Sequence, residues 1–307
     1  GILTDSVHTR AKIREITPVR VLEALDAGKI VLVAGFQDFS RDTMDVTTLG
    51  RGAGDLTAVA FAATLGATCE IYSDVNGVFS ADPRIVPHAR KLDTVSYEEM
   101  LEMAASGARV LALRAVELAR GHDVPIHARS TFSDEPGTWV QDVAGMEEPI
   151  ISAVTHSEDE VLFTLRGVPD RPGVAAAIFE AVAGEHVSVD TILQNAVHGS
   201  AELSFSVPRE DVQSTRSALA TAQQSIGEIE IEEVEDLGKV SLIGAGMRSH
   251  PGVAAEMFRV LADEGINLRL ISTSPIKITC LVGSGEVEQA VRALHARFLE
   301  TSAHAAE

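Results

Sequence analysis

The second half of the sequence repeats itself at a fixed offset. Val161-Leu162-Phe163-Thr164-Leu165 corresponds to Val240-Ser241-Leu242-Ile243-Gly244, and Arg171-Pro172-Gly173-Val174-Ala175-Ala176 to His250-Pro251-Gly252-Val253-Ala254-Ala255. Phe179 aligns with Phe258, Ala183 with Ala262, Val187 with Ile266 and Val189 with Leu268, always 79 positions apart (161 against 240, 189 against 268) and without a gap. A constant offset held over this length marks two copies of one supersecondary unit rather than a chance motif. Each copy reads strand, Pro-Gly turn, helix, strand, strand, helix, the order of a small α+β sandwich. Residues 228–234 alternate acidic and apolar and supply the last strand of the first copy, with the acidic positions as its solvent face.

The repeat also points to a binding site. A Pro-Gly turn opens a helix in each copy, and the first amides of a helix have no partner of their own, so they suit a carboxylate. Pro172, Gly173, Val174 and Ala175 form this turn in the first copy; Pro251, Gly252 and Val253 form it in the second. Asp170 is placed to receive an ammonium group, and Gln194 and Asn195 offer further polar contacts. An effector site at an interface between units is the expectation.

The first half reads differently. The apolar run Ile30–Phe36 predicts a buried strand, 37–46 a polar loop, Thr47–Thr57 a glycine-rich turn, and the following residues to Leu65 a buried helix ending near Gly66. Ala67–Tyr72 is a second strand, so parallel strands at 30–36 and 68–73 are expected, with ligands bound beyond their carboxyl ends. Gly50, Gly52 and Gly54 allow a tight turn at the start of a helix, a place for a phosphate or carboxylate. Arg51 adds a forked, permanently charged donor, and Asp55 a carboxylate suited to positioning a cation. The Ser73–Arg84 loop is expected on the same sheet edge. Elsewhere, Thr17 caps a helix with Pro18 in its first turn and Val19, Leu22 and Leu25 on one face. Ser96-Tyr97-Glu98-Glu99 is a capping box, and Val110–Gly121 a further helix. Val124–Arg129 is a short strand, Ser133–Thr138 a turn and 142–149 a linker. Met100 and Met103 are core residues. His122 and His127, five apart across a turn with Pro125, make a poor metal pair.

A chain of 307 residues suits two or three domains, and 45% hydrophobic with only 4% aromatic residues gives a core built on aliphatic side chains. The net charge of −20 argues against nucleic-acid or anionic-membrane partners. No apolar run approaches a membrane span, and no signal peptide is evident. Cys69 and Cys280 lack metal spacing and read as buried thiols of a reducing cytoplasm. The chain opens on Gly1-Ile2-Leu3 rather than Met, which suggests residues upstream.

Thr47-Thr48-Leu49-Gly50-Arg51-Gly52, the Ser73–Arg84 loop, Tyr97-Glu98-Glu99-Met100-Leu101-Glu102-Met103 and the paired Pro-Gly units together resemble the aspartokinase family, over almost the whole chain. The resemblance implies an α/β fold: the C-terminal portion of an amino-acid-kinase domain (1–145, mainly parallel sheet between helices), then two ferredoxin-like ACT units (146–237 and 238–307), with a strand at 150–155 able to join the second. It implies ATP- and Mg²⁺-dependent phosphorylation of the L-aspartate β-carboxylate, the first step towards lysine, threonine and methionine, with L-lysine and/or L-threonine as effectors. Homo- or hetero-oligomers through the ACT units are implied too. Asp55 and Arg51 would serve catalysis; Thr48, Arg51 and Gly52 the substrate; Ser73, Asp74, Phe79, Asp82 and Arg84 the nucleotide, although Phe79 fits simple core packing equally well. Asn267, Ser272 and Thr273 join the effector set, and no resident metal site is implied.

The sequence departs from the family in three places. It has no Lys-x-Gly-Gly segment, so residues 1–307 alone are expected to be inactive. Gly52-Ala53-Gly54-Asp55 stands where the family has Gly-Gly-Ser-Asp. Ser188 and Pro275 replace an Asn and a Glu of the sensor units. The alternative reading is a non-catalytic amino-acid-sensing subunit or degenerate kinase.

Overall fold

Each copy of the repeat carries one apolar strand face and one apolar helix stripe, and neither is stable until the two meet. The structure, a computed structural model, describes residues 1–300 except 8, 10, 51, 144–150, 198, 246, 248, 249 and 251. In chain order its elements are β1 (Ile2–Thr4), β2 (Ile13–Ile16), α1 (Val19–Asp26), β3 (Gln37–Ser40), β4 (Val46–Thr48), α2 (Ala53–Leu65), β5 (Cys69–Ser73), β6 (Thr94–Val95), α3 (Tyr97–Ala105), α4 (Leu113–Gly121), β7 (Ile126–Ser130), β8 (Thr138–Val140) and β9 (Ala153–Pro169). There follow α5 (Val174–Gly184), β10 (Ile192–Val197), β11 (Ser200–Pro208), α6 (Val212–Ile226), β12 (Glu230–Ile243), α7 (Val253–Asp263), β13 (Leu270–Ser274), β14 (Lys277–Gly283), α8 (Val287–His295) and a π-helical turn at Ala296–Glu300.

The two copies fold alike. Helices α5 and α7 keep the 79-residue offset from end to end (174 against 253, 184 against 263). Both are capped by a left-handed glycine, Gly173 at φ 94° and Gly252 at φ 112°. The copies share one six-stranded sheet in the order β10-β11-β9-β12-β14-β13. Its two central strands each serve both units. Leu162–Arg166 of β9 pair with Val234–Glu230 of β12, while Ala153–Ser157 pair with Ile243–Lys239. The second unit therefore takes its fourth strand from the residues that precede the first. Phe163, Phe205 and Ile178 fill the first core, with the two rings 5.6 Å apart and nearly parallel. Val240, Leu242, Met257 and Leu294 build the second.

The first half holds two smaller sheets, β2-β1-β3-β4 and β5-β7-β8-β6. Several expectations are corrected here. Residues 30–36 form no strand: no backbone ladder includes them among the described residues, and Ile30 and Leu32 are 94% and 95% exposed. An apolar run becomes a strand only where a second backbone pairs with it. The parallel partner of β5 is instead β7, Cys69 to Ile126 through Ser73 to Ser130. The supposed loop at 37–46 contains an antiparallel hairpin, with Gln37 opposite Thr48 and Phe39 opposite Val46. Thr17 is not a cap. Pro18 occupies the cap position of α1, and the Thr17 hydroxyl donates to Glu15. The apolar face of α1 is open, with Val19, Leu22 and Leu25 all more than two-fifths exposed. Helix α4 begins at Leu113 rather than Val110, and α2 begins at Ala53, inside the stretch read as turn. The capping box at Ser96 and Glu99 is present in both directions, and Met100 and Met103 are wholly buried. The 142–149 linker lies mostly outside the described residues. No helix among the described residues is long and apolar enough to cross a membrane.

The halves meet on the open face of the second unit's sheet. Ala153 and Ile243 join the core of the first half. Lys239, 3% exposed, lies at the junction. Its ammonium is 3.0 Å from Glu160 and 2.6 Å from Asp190 and donates to the Ala105 carbonyl that ends α3. Burial disfavours this charge, yet Glu160 and Asp190 outweigh it and hold the lysine above its ordinary value. Its contribution to stability is present throughout the neutral range and is lost only as pH rises past that value. Lys239→Ala leaves two carboxylates facing each other without a counter-ion, and we expect it to cost about 3–5 kcal/mol. Chemical denaturation at neutral pH measures this; a loss below about 1 kcal/mol, the range of surface pairs, would refute it.

Candidate functional site

Strand β4 delivers the chain into the glycine turn. Leu49 is buried, donates its N–H to the Phe36 carbonyl at 3.2 Å, and has its own carbonyl held by the Arg114 guanidinium at 2.7 Å. Gly50 adopts φ +96°, and a Cβ there would stand 2.8 Å from the Thr9 carbonyl oxygen. Gly52 adopts φ +73°, and its Cβ would stand 2.7 Å from that of Ala112. Both conformation and space therefore demand glycine. Arg51, between them, lies outside the described residues. Helix α2 buries residues around most of its circumference, so only its N-terminal end is free to face a ligand. The Ala53 amide is satisfied by the Gly50 carbonyl at 3.3 Å; the next amides lack intrahelical partners by helix geometry.

Asp55 stands in the first turn of α2. Its Oδ2 accepts the Ala112 N–H at 3.1 Å, and Ala112 is the cap position of α4. One carboxylate thus lies against the N-terminal ends of two helices, where the dipoles favour negative charge. Burial still pushes the carboxyl above its ordinary value, and the Ala112 bond offsets that only in part. When ionised, it presents a negative charge at a position fixed by the Ala112 bond. Arg114, which sequence reasoning passed over, braces this arrangement by holding both Leu49 and the Ala11 carbonyl at 2.8 Å. Its one sequence signal is a cation in the first turn of a helix, where a positive charge opposes the dipole.

The Ser73–Arg84 loop is held by other partners. Ser73 ends β5 and accepts the Thr131 N–H on its carbonyl at 2.8 Å. Asp74 is exposed. Val78 donates to the Thr138 hydroxyl at 2.9 Å, and half-buried Phe79 bridges to Lys91. Asp82 is gripped by Arg84 in a two-pronged pair, with Nη2 to Oδ2 at 2.6 Å. This hydrogen bond, against some burial, holds the Asp82 carboxyl below its ordinary value. The Arg84 side chain is 84% exposed, and its remaining guanidinium donors are available to an anion. Lys91 was also missed from sequence; its ammonium folds onto the carbonyls of Pro136 and Gly137. The expectation that turn and loop close one sheet edge is corrected. β4 and β5 belong to different sheets, because β4 pairs back on β3 and α2 carries the chain across.

The effector set is divided as well. Gln194 and Asn195 lie on edge strand β10, whereas Ser272 and Thr273 lie on β13, the opposite edge. Five strand spacings separate these edges, roughly 24 Å. Neither set lies on the central β9–β12 pairing. A cleft of roughly 470 Å³ on the open face of the shared sheet is bordered by Gln194 and Asn195 of β10, by Arg166 and Glu202, and by Arg269 and Leu270 at the start of β13, but not by Ser272 or Thr273. Asp170 donates its backbone N–H to Gly199 beside the Gly173 cap. Val174 is buried at the start of α5 beside half-buried Ala175; Val253 is half-buried and Asn267 exposed. Pro172 precedes the Gly173 cap, and Pro251 lies outside the described residues. Among the described residues no three His, Cys, Asp or Glu side chains converge as metal ligands. His127 stacks on Trp139 at 4.0 Å. Burial pushes the Cys69 and Cys280 thiols up to about 11 and about 12, those of inert core cysteines.

Residues 2–130 match the amino acid kinase family, and residues 163–227 and 240–298 each match an ACT domain. The chain is 52% identical over 306 residues to an aspartokinase of Mycobacterium tuberculosis, covering 97% of this chain and 72% of that protein. It is 46% identical to the aspartokinase of Corynebacterium glutamicum, with the same coverage. Among solved structures it resembles Escherichia coli aspartokinase III in complex with aspartate and ADP, the R-state, with TM-score 0.84 and 29% identity over 96% of this chain and 67% of that one. The same enzyme with lysine and aspartate, the T-state, gives TM-score 0.70 at 29% identity over 97% and 67%.

The strained carboxylate gives a direct test of the site's physics. An acid whose value is raised on folding contributes stability at low pH that is lost as pH rises through its folded value. Asp55→Asn keeps an acceptor for Ala112 and removes the buried charge. We expect it to raise the melting temperature at pH 7, with the gain vanishing below the carboxylate range. A variant less stable than the parent at pH 7 would contradict the placement of Asp55.

Proposed function

The chain belongs to the aspartokinase family, and on that premise we propose that it transfers the γ-phosphoryl group of ATP to the β-carboxylate of L-aspartate, giving 4-phospho-L-aspartate and ADP. This is the first step towards lysine, threonine and methionine, under amino-acid feedback through its two ACT units. The observation that carries the reading is the Gly50–Gly52 turn with Asp55 fixed across two helix N-termini. It offers partial positive charge for an anion and one fixed negative charge beside it. The complexes of E. coli aspartokinase III with aspartate, ADP and lysine support the same ligands here.

Each residue then has a role. Arg51 pairs with a carboxylate of aspartate, and Thr48 and Gly52 line that position. Asp55 orients the ammonium of aspartate or a bound cation. Ser73, Asp74 and Phe79 border the nucleotide, and Arg84, anchored by Asp82, turns its free donors to the phosphates. The donor set fits: one exposed guanidinium, unpaired helix amides and few carboxylates. Mg²⁺, held mainly on the phosphates, would neutralise charge as it develops, and positioning with charge neutralisation is most of what phosphoryl transfer requires. Regulation would use a second chain. Among the described residues, edge strands β10 and β13 each pair on one side only and expose Ile192, Leu193 and Ile271, so edge pairing between copies would bring the two halves of the effector set together.

Trapping the acyl phosphate with hydroxylamine in the intact protein tests the reaction. Arg51→Ala and Asp55→Ala should each lower kcat/KM by about a hundred-fold or more, and residues 1–307 by themselves should turn over far more slowly. Absence of phosphorylation by the intact protein, with effector binding retained, would identify a sensing subunit instead. Calorimetry with L-lysine and L-threonine tests regulation. Asp170→Asn should weaken the effective ligand about tenfold, the loss of one charge-assisted hydrogen bond; no heat from either amino acid would remove the sensing role.

A further inference from the structure

Ser80 is wholly buried two residues before Asp82. Its N–H donates to the Arg90 carbonyl at 2.8 Å, and its carbonyl accepts the Val154 N–H of β9 at 2.8 Å. Its hydroxyl oxygen accepts the Arg90 N–H and lies 2.9 Å from His295 Nε2. The Glu300 carboxylate can only accept, so Nδ1 carries a proton and donates to it at 3.0 Å. In the neutral ring this leaves Nε2 as an acceptor for the Ser80 hydroxyl. His295 is 1% exposed.

The local backbone is shaped for this contact. Residues five apart on an α-helix point to different faces. Here α8 widens after His295 into the π-helical turn at Ala296–Glu300, and Glu300 comes round to the ring. Such turns are rare and are frequent at functional sites. One turn earlier, Arg292 Nε donates to the Ile85 carbonyl at 3.1 Å. Helix α8 therefore grips the loop at Ser80 and Ile85, on either side of Asp82 and Arg84. Ala81, Ile85 and Val86 pack in the same core as Val154 and Leu294. An apolar contact alone would let this segment slide; a buried, fully satisfied polar chain admits one register.

Resting on the nucleotide reading of this loop, we propose that His295 is a positioning residue: through Ser80 it sets Asp82 and Arg84 for the nucleotide, so this wall of the kinase site is held by the second ACT unit. Steady-state kinetics of the intact protein, with ATP and L-aspartate varied separately, tests it. His295→Leu should raise KM for ATP about tenfold, the effect of one lost buried hydrogen bond, and leave KM for aspartate within about twofold. His295→Gln, whose amide oxygen can accept the Ser80 hydroxyl, should recover most of the loss. Ser80→Ala should reproduce it, and the double variant should be no worse than either single one. A merely structural histidine would lower stability and active fraction without moving one KM against the other. Arg84→Ala separates the two readings. If it leaves KM for ATP unchanged, the nucleotide assignment falls and this inference with it. If it raises KM for ATP while Ser80→Ala and His295→Leu do not, this inference alone is overturned. Should His295→Leu fail to fold, Ser80→Ala decides.

Discussion

The pairing of β9 with β12 is the constraint on which the rest of the structure depends. These two long strands run antiparallel, and each crosses from one repeat unit to the other, with a shift of register between Val234 and Leu237 at the crossing. The first unit has four strands of its own, but the second is incomplete until residues 153–157 arrive from before the first. The two units therefore share a continuous backbone through β9 and β12. The first half hangs on the same strand, through the Val154 amide on Ser80 and through Gly107, whose Cα faces the His156 carbonyl so closely that no side chain would fit.

Charge is used sparingly where it matters. The chain carries a net charge of −20, and most of its ion pairs sit on the surface, where each contributes little. Two charges are different. Lys239 neutralises Glu160 and Asp190 where the two units and α3 converge. Asp55 is held at the start of α2 against its own desolvation. One joins the six-stranded sheet to the first half; the other ties the start of α2 to the start of α4. Helix α3 runs between these regions, its capping-box Glu99 also receiving the Ser152 hydroxyl and its Glu102 pairing with Lys277 at 2.9 Å. A change in the sheet has a short, packed route to the kinase core.

The two copies present similar elements at opposite margins of one six-stranded sheet, each a glycine-capped helix and an edge strand. A single cleft on the open face of that sheet reaches from Gln194 and Asn195 on β10 to Leu270 on β13.

Several features were legible in the residues alone. The 79-residue repeat, the two glycine-capped helices, the capping box at Ser96 and the buried methionines follow from local spacing, because periodicity and cap chemistry act within a turn or two of the chain. The glycine turn was legible for the same reason: φ at Gly50 and Gly52 is a local property. What the sequence did not determine was partnership. Ile30–Phe36 looks like a strand, yet pairing requires another backbone, and none of the described segments provides one. Arg114 reaches Leu49 and Ala11 at 65 and 103 positions, and Ser80 meets His295 at 215; residues 153–157, whose crossing into the second unit was expected only from the family resemblance, pair with 239–243 at 82 to 90 positions (157 against 239, 153 against 243). Such contacts are chosen by which surfaces bury each other when the chain closes. No short window of sequence contains both members of the pair, and so only the tertiary structure decided them.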